Sequence, residues 1–154
     1  MVRVLARGLM VAAVWIASIA QADYVEPPRG SETRKALMDA LRPHAEWVLG
    51  APVQFVIHDL RLAEGQGLPH DVAFASVHAQ RPGGQPIDIR ATPGYARGQL
   101  DPEFMDGTTF QALYRKQGKT WVAVHWAVGA TDVWYADYQF CPDYFAVLPE
   151  ICAG

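Results

Sequence analysis

The chain has 154 residues, with 13 basic and 16 acidic side chains and a formal net charge of −3 at pH 7. A mildly acidic chain without a basic run argues against nucleic acid or an anionic membrane surface as the partner.

The segment MVRVLARG carries Arg3 and Arg7 and no acid, and Leu9 to Ala20 follows as twelve uncharged apolar residues. A bilayer-spanning helix needs about 20 such residues, so this run is too short. Ala20-Gln21-Ala22 supplies the small-x-small pattern of a cleavage site, with the cut expected before Asp23. Residues 1–22 are therefore expected to be a Sec signal peptide and residues 23–154 a single α+β domain. Without Arg3 and Arg7 the basic count falls from 13 to 11 against 16 acids, so the mature charge is −5. No Cys near the cut offers a lipid attachment point and no paired Arg marks twin-arginine export. The expected location is periplasmic or secreted, with no stable membrane anchor after cleavage. Arg outnumbers Lys ten to three and Asn is absent, a skew that fits a GC-rich bacterial genome.

Asp23 to Gly30 is a polar lead whose Pro27 and Pro28 forbid an earlier helix start. Ser31 can cap a helix with Glu32 in its first turn, where the dipole favours an acid. Leu37, Leu41, Ala45 and Val48 form one apolar stripe. Pro43 interrupts it, which predicts either a kinked helix or a second helix starting there. Gly50 and Pro52 end the segment.

Val53, Phe55 and Ile57 alternate with polar residues and predict a strand. Val56, Leu60 and Leu62 have the opposite parity, so this strand is covered on both faces or bulges near Asp59. AEGQGLPH is a loop. A second strand is predicted over Asp71 to Gln80, and Ile87 and Ile89 start a short third. ATPGYARGQLDPEFMDG exceeds the usual loop length and is therefore functional or mobile. Phe110 to Lys116 and Lys119 to Val128 predict a hairpin turning at Gln117-Gly118, and Asp132 to Phe140 a last strand. One or two helices before four to six antiparallel strands predict an α+β fold, a helix or kinked helix pair on a curved sheet of cystatin-like or NTF2-like architecture.

Cys141 and Cys152 are the only cysteines. An even count in an oxidising compartment predicts a disulfide, and Pro142 and Pro149 help the chain return. Neither a C-x-x-C redox motif nor a zinc ligand set is present.

The chemistry-bearing residues are sparse. His44 is expected on a solvated helix face, His70 in a loop, and His58, His78 and His125 on strands. None of the five has i, i+4 or i, i+2 ligand spacing, so no metal is expected. Of the two serines after residue 22, Ser31 is a helix cap and Ser76 mid-strand, which leaves no hydrolase nucleophile. Asp132 and Asp137 are the one carboxylate pair to consider for glycosidase chemistry, and both also suit turns. No nucleotide fingerprint occurs and no cofactor is expected. The residue set points away from catalysis.

Ten aromatic residues lie between Phe110 and Phe145. Strict alternation puts Val122, Val124, Trp126 and Val128 on one sheet face and Trp121, Ala123, His125 and Ala127 on the other. Cross-strand aromatic packing explains much of this density, and an aromatic surface that grips a partner is the functional alternative.

RKALMDALRPHAEWVLGAPVQFVI, FASVHAQRPGGQPID, WVAVHWAVGATDVWY and the ending LPEIC give the chain a layout that resembles small exported bacterial proteins of uncharacterised function. The resemblance implies a compact envelope or secreted domain and brings no activity with it.

Two expectations follow. The first is a non-catalytic exported binding module of inhibitor, immunity or envelope-assembly type, meeting a protein partner through Trp126, Trp134, Tyr135, His125 and Asp132. The second is an NTF2-like small-ligand-binding or enzymatic domain with a cavity near His125 and Asp132, with His78 as a further candidate.

Overall fold

The computed structural model describes residues 24–152, so the expected signal peptide at 1–22 lies outside them. Helix α1 (Glu32–Leu49) leads into strands β1 (Gln54–Ala63) and β2 (Val72–Gln80). A long connection follows, with a 3₁₀ turn at Ile89–Ala91 and the short helix α2 (Pro93–Ala96). Strands β3 (Thr109–Gln117) and β4 (Thr120–Val128) come next. The chain closes with 3₁₀ turns at Trp134–Ala136 and Tyr138–Phe140 and the short helices α3 (Cys141–Tyr144) and α4 (Pro149–Cys152). The four strands form one antiparallel sheet in chain order, and the fold is α+β with one disulfide. No helix among the described residues is long and apolar enough to cross a membrane.

Helix α1 starts where its capping chemistry directs. The Arg34 backbone N–H donates to Ser31 Oγ at 3.2 Å, and Glu32 sits in the first turn. Leu37, Leu41, Ala45 and Val48 are buried, and each leucine contributes about 1.5–3 kcal/mol by leaving water. Pro43 lies inside one continuous helix and starts no second one. Its ring is exposed, so the carbonyl that it leaves unbonded faces solvent, where the loss is small. At the far end Gly50 N–H donates to Glu46 O, and the Arg81 guanidinium donates to the carbonyls of Leu49, Gly50 and Pro52. These bonds answer the carbonyls that a helix C-terminus leaves without partners.

Two bulges decide which side chains face α1. In β1 the register slips between Ile57 and Asp59, so Phe55 and Ile57 before it and Leu60 and Leu62 after it all join the α1 core. This is the bulge that the parity of the sequence predicts. In β4, Leu113 pairs with His125 and Tyr114 with Ala123, which leaves Val124 as the extra residue. Strict alternation separates Trp126 from Trp121 and Ala123; the bulge returns all three to the helix side, packed with Phe110, Ala112 and Tyr114.

Two expected strands do not form. At Ile87 and Ile89 the Asp88 carboxylate accepts the Arg90 N–H at 3.0 Å, and the Thr92 hydroxyl accepts the Tyr95 N–H at 3.2 Å. Such short-range bonds compete with a ladder and close turns instead. Over Asp132 to Phe140 the chain makes two 3₁₀ turns, the second capped by the Asp137 carboxylate accepting the Gln139 N–H at 3.0 Å. Its alternating aromatics do not alternate in burial, since Val133 and Tyr138 are exposed and Trp134 and Tyr135 are neighbours on the sheet.

The long connection is fastened at both ends. Gly94 is buried against α1, and a Cβ there would meet the Val48 carbonyl at 2.6 Å. Further on, Asp106 N–H donates to Gly129 O at 2.8 Å. Gly129 has φ +60°, and a Cβ there would meet Gly107 O at 2.7 Å. Both glycines are demanded by close approach, the second also by its left-handed backbone.

Candidate functional site

The sheet face away from α1 is covered by the C-terminal segment. Ala63, Val72, Phe74 and Leu113 project from the strands and pack with Tyr144, Ala146, Val147 and Leu148, all buried. Tyr135 lies against Phe74 with centroids 4.8 Å apart, and Trp134 stands edge-on to Tyr135 and Phe140 at 5.7 and 5.6 Å. Edge-on aromatic pairs of this kind contribute about 0.5–1.5 kcal/mol beyond their burial.

Covalent and ionic ties hold this cover down. The Cys141–Cys152 disulfide forms as expected and closes α3 onto α4. Arg61, on β1, reaches the Asp59 carboxylate at 2.8 Å, the Glu150 carboxylate at 2.5 Å and the Val147 carbonyl at 3.0 Å. Its guanidinium also lies over the rings of Tyr24 and Phe74 at 5.0 and 5.3 Å. One cation thus joins the polar lead, β1 and both ends of the last turn. Arg115 on β3 bonds Asp143 at 2.5 Å and ties α3 to the sheet. Partial burial raises the Glu150 carboxyl, but the Arg61 hydrogen bond and charge outweigh it and hold the group below its usual value. Burial opposes the charge on Arg61, yet its two carboxylates raise its pKa further. Burial pushes the Tyr135 and Tyr144 hydroxyls up.

The five predicted binding residues fall in three places. Trp126 is on the α1 side, with His44 at 5.2 Å and Phe110 at 5.9 Å. His44 is therefore turned toward β4 instead of lying on a solvated helix face. Trp134 and Tyr135 belong to the C-terminal cover. His125 is exposed on that second face, its ring tilted against Phe140 at 5.0 Å and near Tyr144 at 6.2 Å. Asp132 is exposed and lines a separate cleft of about 380 Å³ beside Asp101, Phe104, Met105 and Val128. The lining of this cleft does not include His125.

His58 and His78 are cross-strand neighbours with centroids 6.4 Å apart. Among the described residues no group of three or more His, Cys, Asp or Glu side chains is placed to hold a metal ion.

Comparison of the chain with protein-family models, with curated proteins and with solved structures finds no match. The cystatin-like and NTF2-like likenesses thus rest on element order alone.

Sequence reasoning did not reach Arg61, Arg115, Asp143, Glu150, Tyr138 and Phe145. Arg61 had a signal: it is a charge amid the apolar run of β1. Tyr138 and Phe145 had none, because exposure of an aromatic ring follows from tertiary placement.

Proposed function

We propose that the chain is an exported, non-catalytic binding module of inhibitor, immunity or envelope-assembly type, and that it meets a protein partner with the outer surface of the segment from Val133 to Cys152. The observation that carries this reading is Tyr138, 80% exposed in the 3₁₀ turn that leads directly into the stretch fastened by the disulfide and the two arginine ties. Val133 and Phe145 are exposed on the same segment. Rings held out by a fixed backbone lose little freedom when a partner covers them, and tyrosine is enriched among the residues that dominate binding energy. A disulfide formed between the only two cysteines fits an oxidising compartment and supports export. Trp134 and Tyr135 serve this reading from beneath, as anchors of the segment.

The test is quantitative capture from crosslinked envelope extract, using wild type, Tyr138→Ser and, as a control on the far cleft, Phe104→Ser. The reading expects a protein retained by wild type and by Phe104→Ser and lost from Tyr138→Ser. Equal capture by all three baits contradicts it.

A second reading has its own observation, the cleft at Asp132. Two carboxylates, Asp101 and Asp132, stand with the exposed Phe104 ring in one concavity, an arrangement suited to a small cation with an apolar part. Thermal shifts by small organic amines that disappear in Asp132→Asn would favour it over the protein-binding reading.

A further inference from the structure

The two edges of the sheet are guarded very differently. At β1, Val25 exchanges both backbone hydrogen bonds with Leu62 at 2.8 Å, and Asp59 and Arg61 place charges along the strand. At β4 the neighbour on one side is β3, and on the other side no backbone hydrogen bond is made by Thr120–Val128 among the described residues. The strand reads TWVAVHWAV, with neither Pro nor Lys, Arg, Asp or Glu within it, and Val124 is 38% exposed. Apart from the bulge at Val124, which bends it locally, an apolar edge of this length without proline or charge is a template for another strand.

Charge at the two ends of β4 says which strand fits. Before it, exposed Lys119 forms no ion pair among the described residues, whereas Lys35 and Lys116 are both paired with carboxylates. After it come the exposed acids Asp132 and, from the neighbouring connection, Asp101 and Asp106. A parallel copy would set lysine against lysine. An antiparallel copy centred on the middle of β4 sets Lys119 of each chain beside the Gly129–Asp132 stretch of the other. A cleft of about 360 Å³ lined by Ala36, Asp39, Ala40, Lys119, Thr120 and Trp121 lies between α1 and the start of β4, and offers an added strand apolar, polar and charged wall together.

We propose that two copies of this chain associate through antiparallel pairing of their β4 edges, joining two four-stranded sheets about a two-fold axis near Val124. Such a contact is self-complementary and closes at two copies. It goes beyond the binding reading, since the β4 edge is not part of the Val133–Cys152 surface.

The experiment is sedimentation equilibrium on protein purified after expression of the whole chain, over a concentration series, for wild type, Lys119→Glu, Asp132→Lys and an equimolar mixture of the two variants. Each variant alone faces like charges at both ends of the ladder; the mixture restores both opposite-charge pairs. The expected result is a wild-type dimer, about tenfold weaker association of each single variant, and recovery in the mixture, with the gap narrowing at high salt. Val124→Lys, on an already exposed side chain, should remove the dimer while leaving the monomer folded by circular dichroism. A wild type that remains monomeric throughout overturns the proposal. So does a dimer indifferent to Val124→Lys, or one whose two charge variants fail to complement each other.

Discussion

The two faces of the sheet are built by different means. The α1 face is covered by one regular helix whose buried stripe of Leu37, Leu41, Ala45 and Val48 meets Leu60, Ala75, Ala112 and Tyr114 from the strands. The opposite face is covered by short turns, with aromatic rings as the packing units and a disulfide and two arginines as fasteners. A regular helix buries enough apolar surface to hold itself in place, whereas turns of three or four residues cannot and need other constraints. The helix face is thus a core, and the second face is a cover that can carry a working surface.

The largest effect should come from breaking the core. Leu41→Ala, at a fully buried site, is expected to cost about 2–5 kcal/mol in denaturant unfolding and to weaken both faces together. Trp126→Ala should cost about 3 kcal/mol, because its half-buried ring packs on His44 and Phe110 and a cavity would follow.

Removing the fastener sharpens the contrast. Cys141→Ser with Cys152→Ser should lower stability by roughly 2–3 kcal/mol through the freed loop. Melting curves of oxidised and reduced protein check this, and equal melting temperatures would contradict it. A smaller effect is expected from acid. The Glu150 carboxyl is held below its usual value mainly by Arg61, so its contribution is complete above the ordinary carboxylate pKa of about 4.3. The contribution is lost as pH falls through the lowered folded-state value. Glu150 is half exposed, so the expected cost of Glu150→Gln is under about 1 kcal/mol at neutral pH. That cost should vanish toward pH 2 in a comparison of the two melting curves.

The helix face was legible because it obeys periodicity. Ser31, the stripe of α1 and the bulge near Asp59 could all be read from spacing, and so could the β3–β4 hairpin. The second bulge could not, because apolar residues at Trp121, Val122, Ala123, Val124 and Trp126 satisfy either parity. The C-terminal cover misled for a related reason. Val133, Tyr135, Asp137 and Gln139 alternate with Trp134, Ala136 and Tyr138 as a strand would, but Asp137 bonds its own backbone and no further strand edge is used there. The disulfide was legible from the even cysteine count and the expected export. The ties of Arg61 and Arg115 were not, since their partners lie 89 and 28 residues away in sequence. Of the candidate site, the aromatic density was visible, but its division between two faces and a separate cleft depends on the β4 bulge and the turn at Gly129.

The most direct test of the division between core and cover is native-state hydrogen exchange on the oxidised and the reduced protein. Faster exchange on reduction should be confined to residues 134–152 and to the amides of β1 and β3 beneath them, with α1 and its facing strands unchanged. Uniform acceleration across α1 and all four strands would mean that the two faces form one cooperative core, and the account of the second face as a separately fastened cover would be wrong.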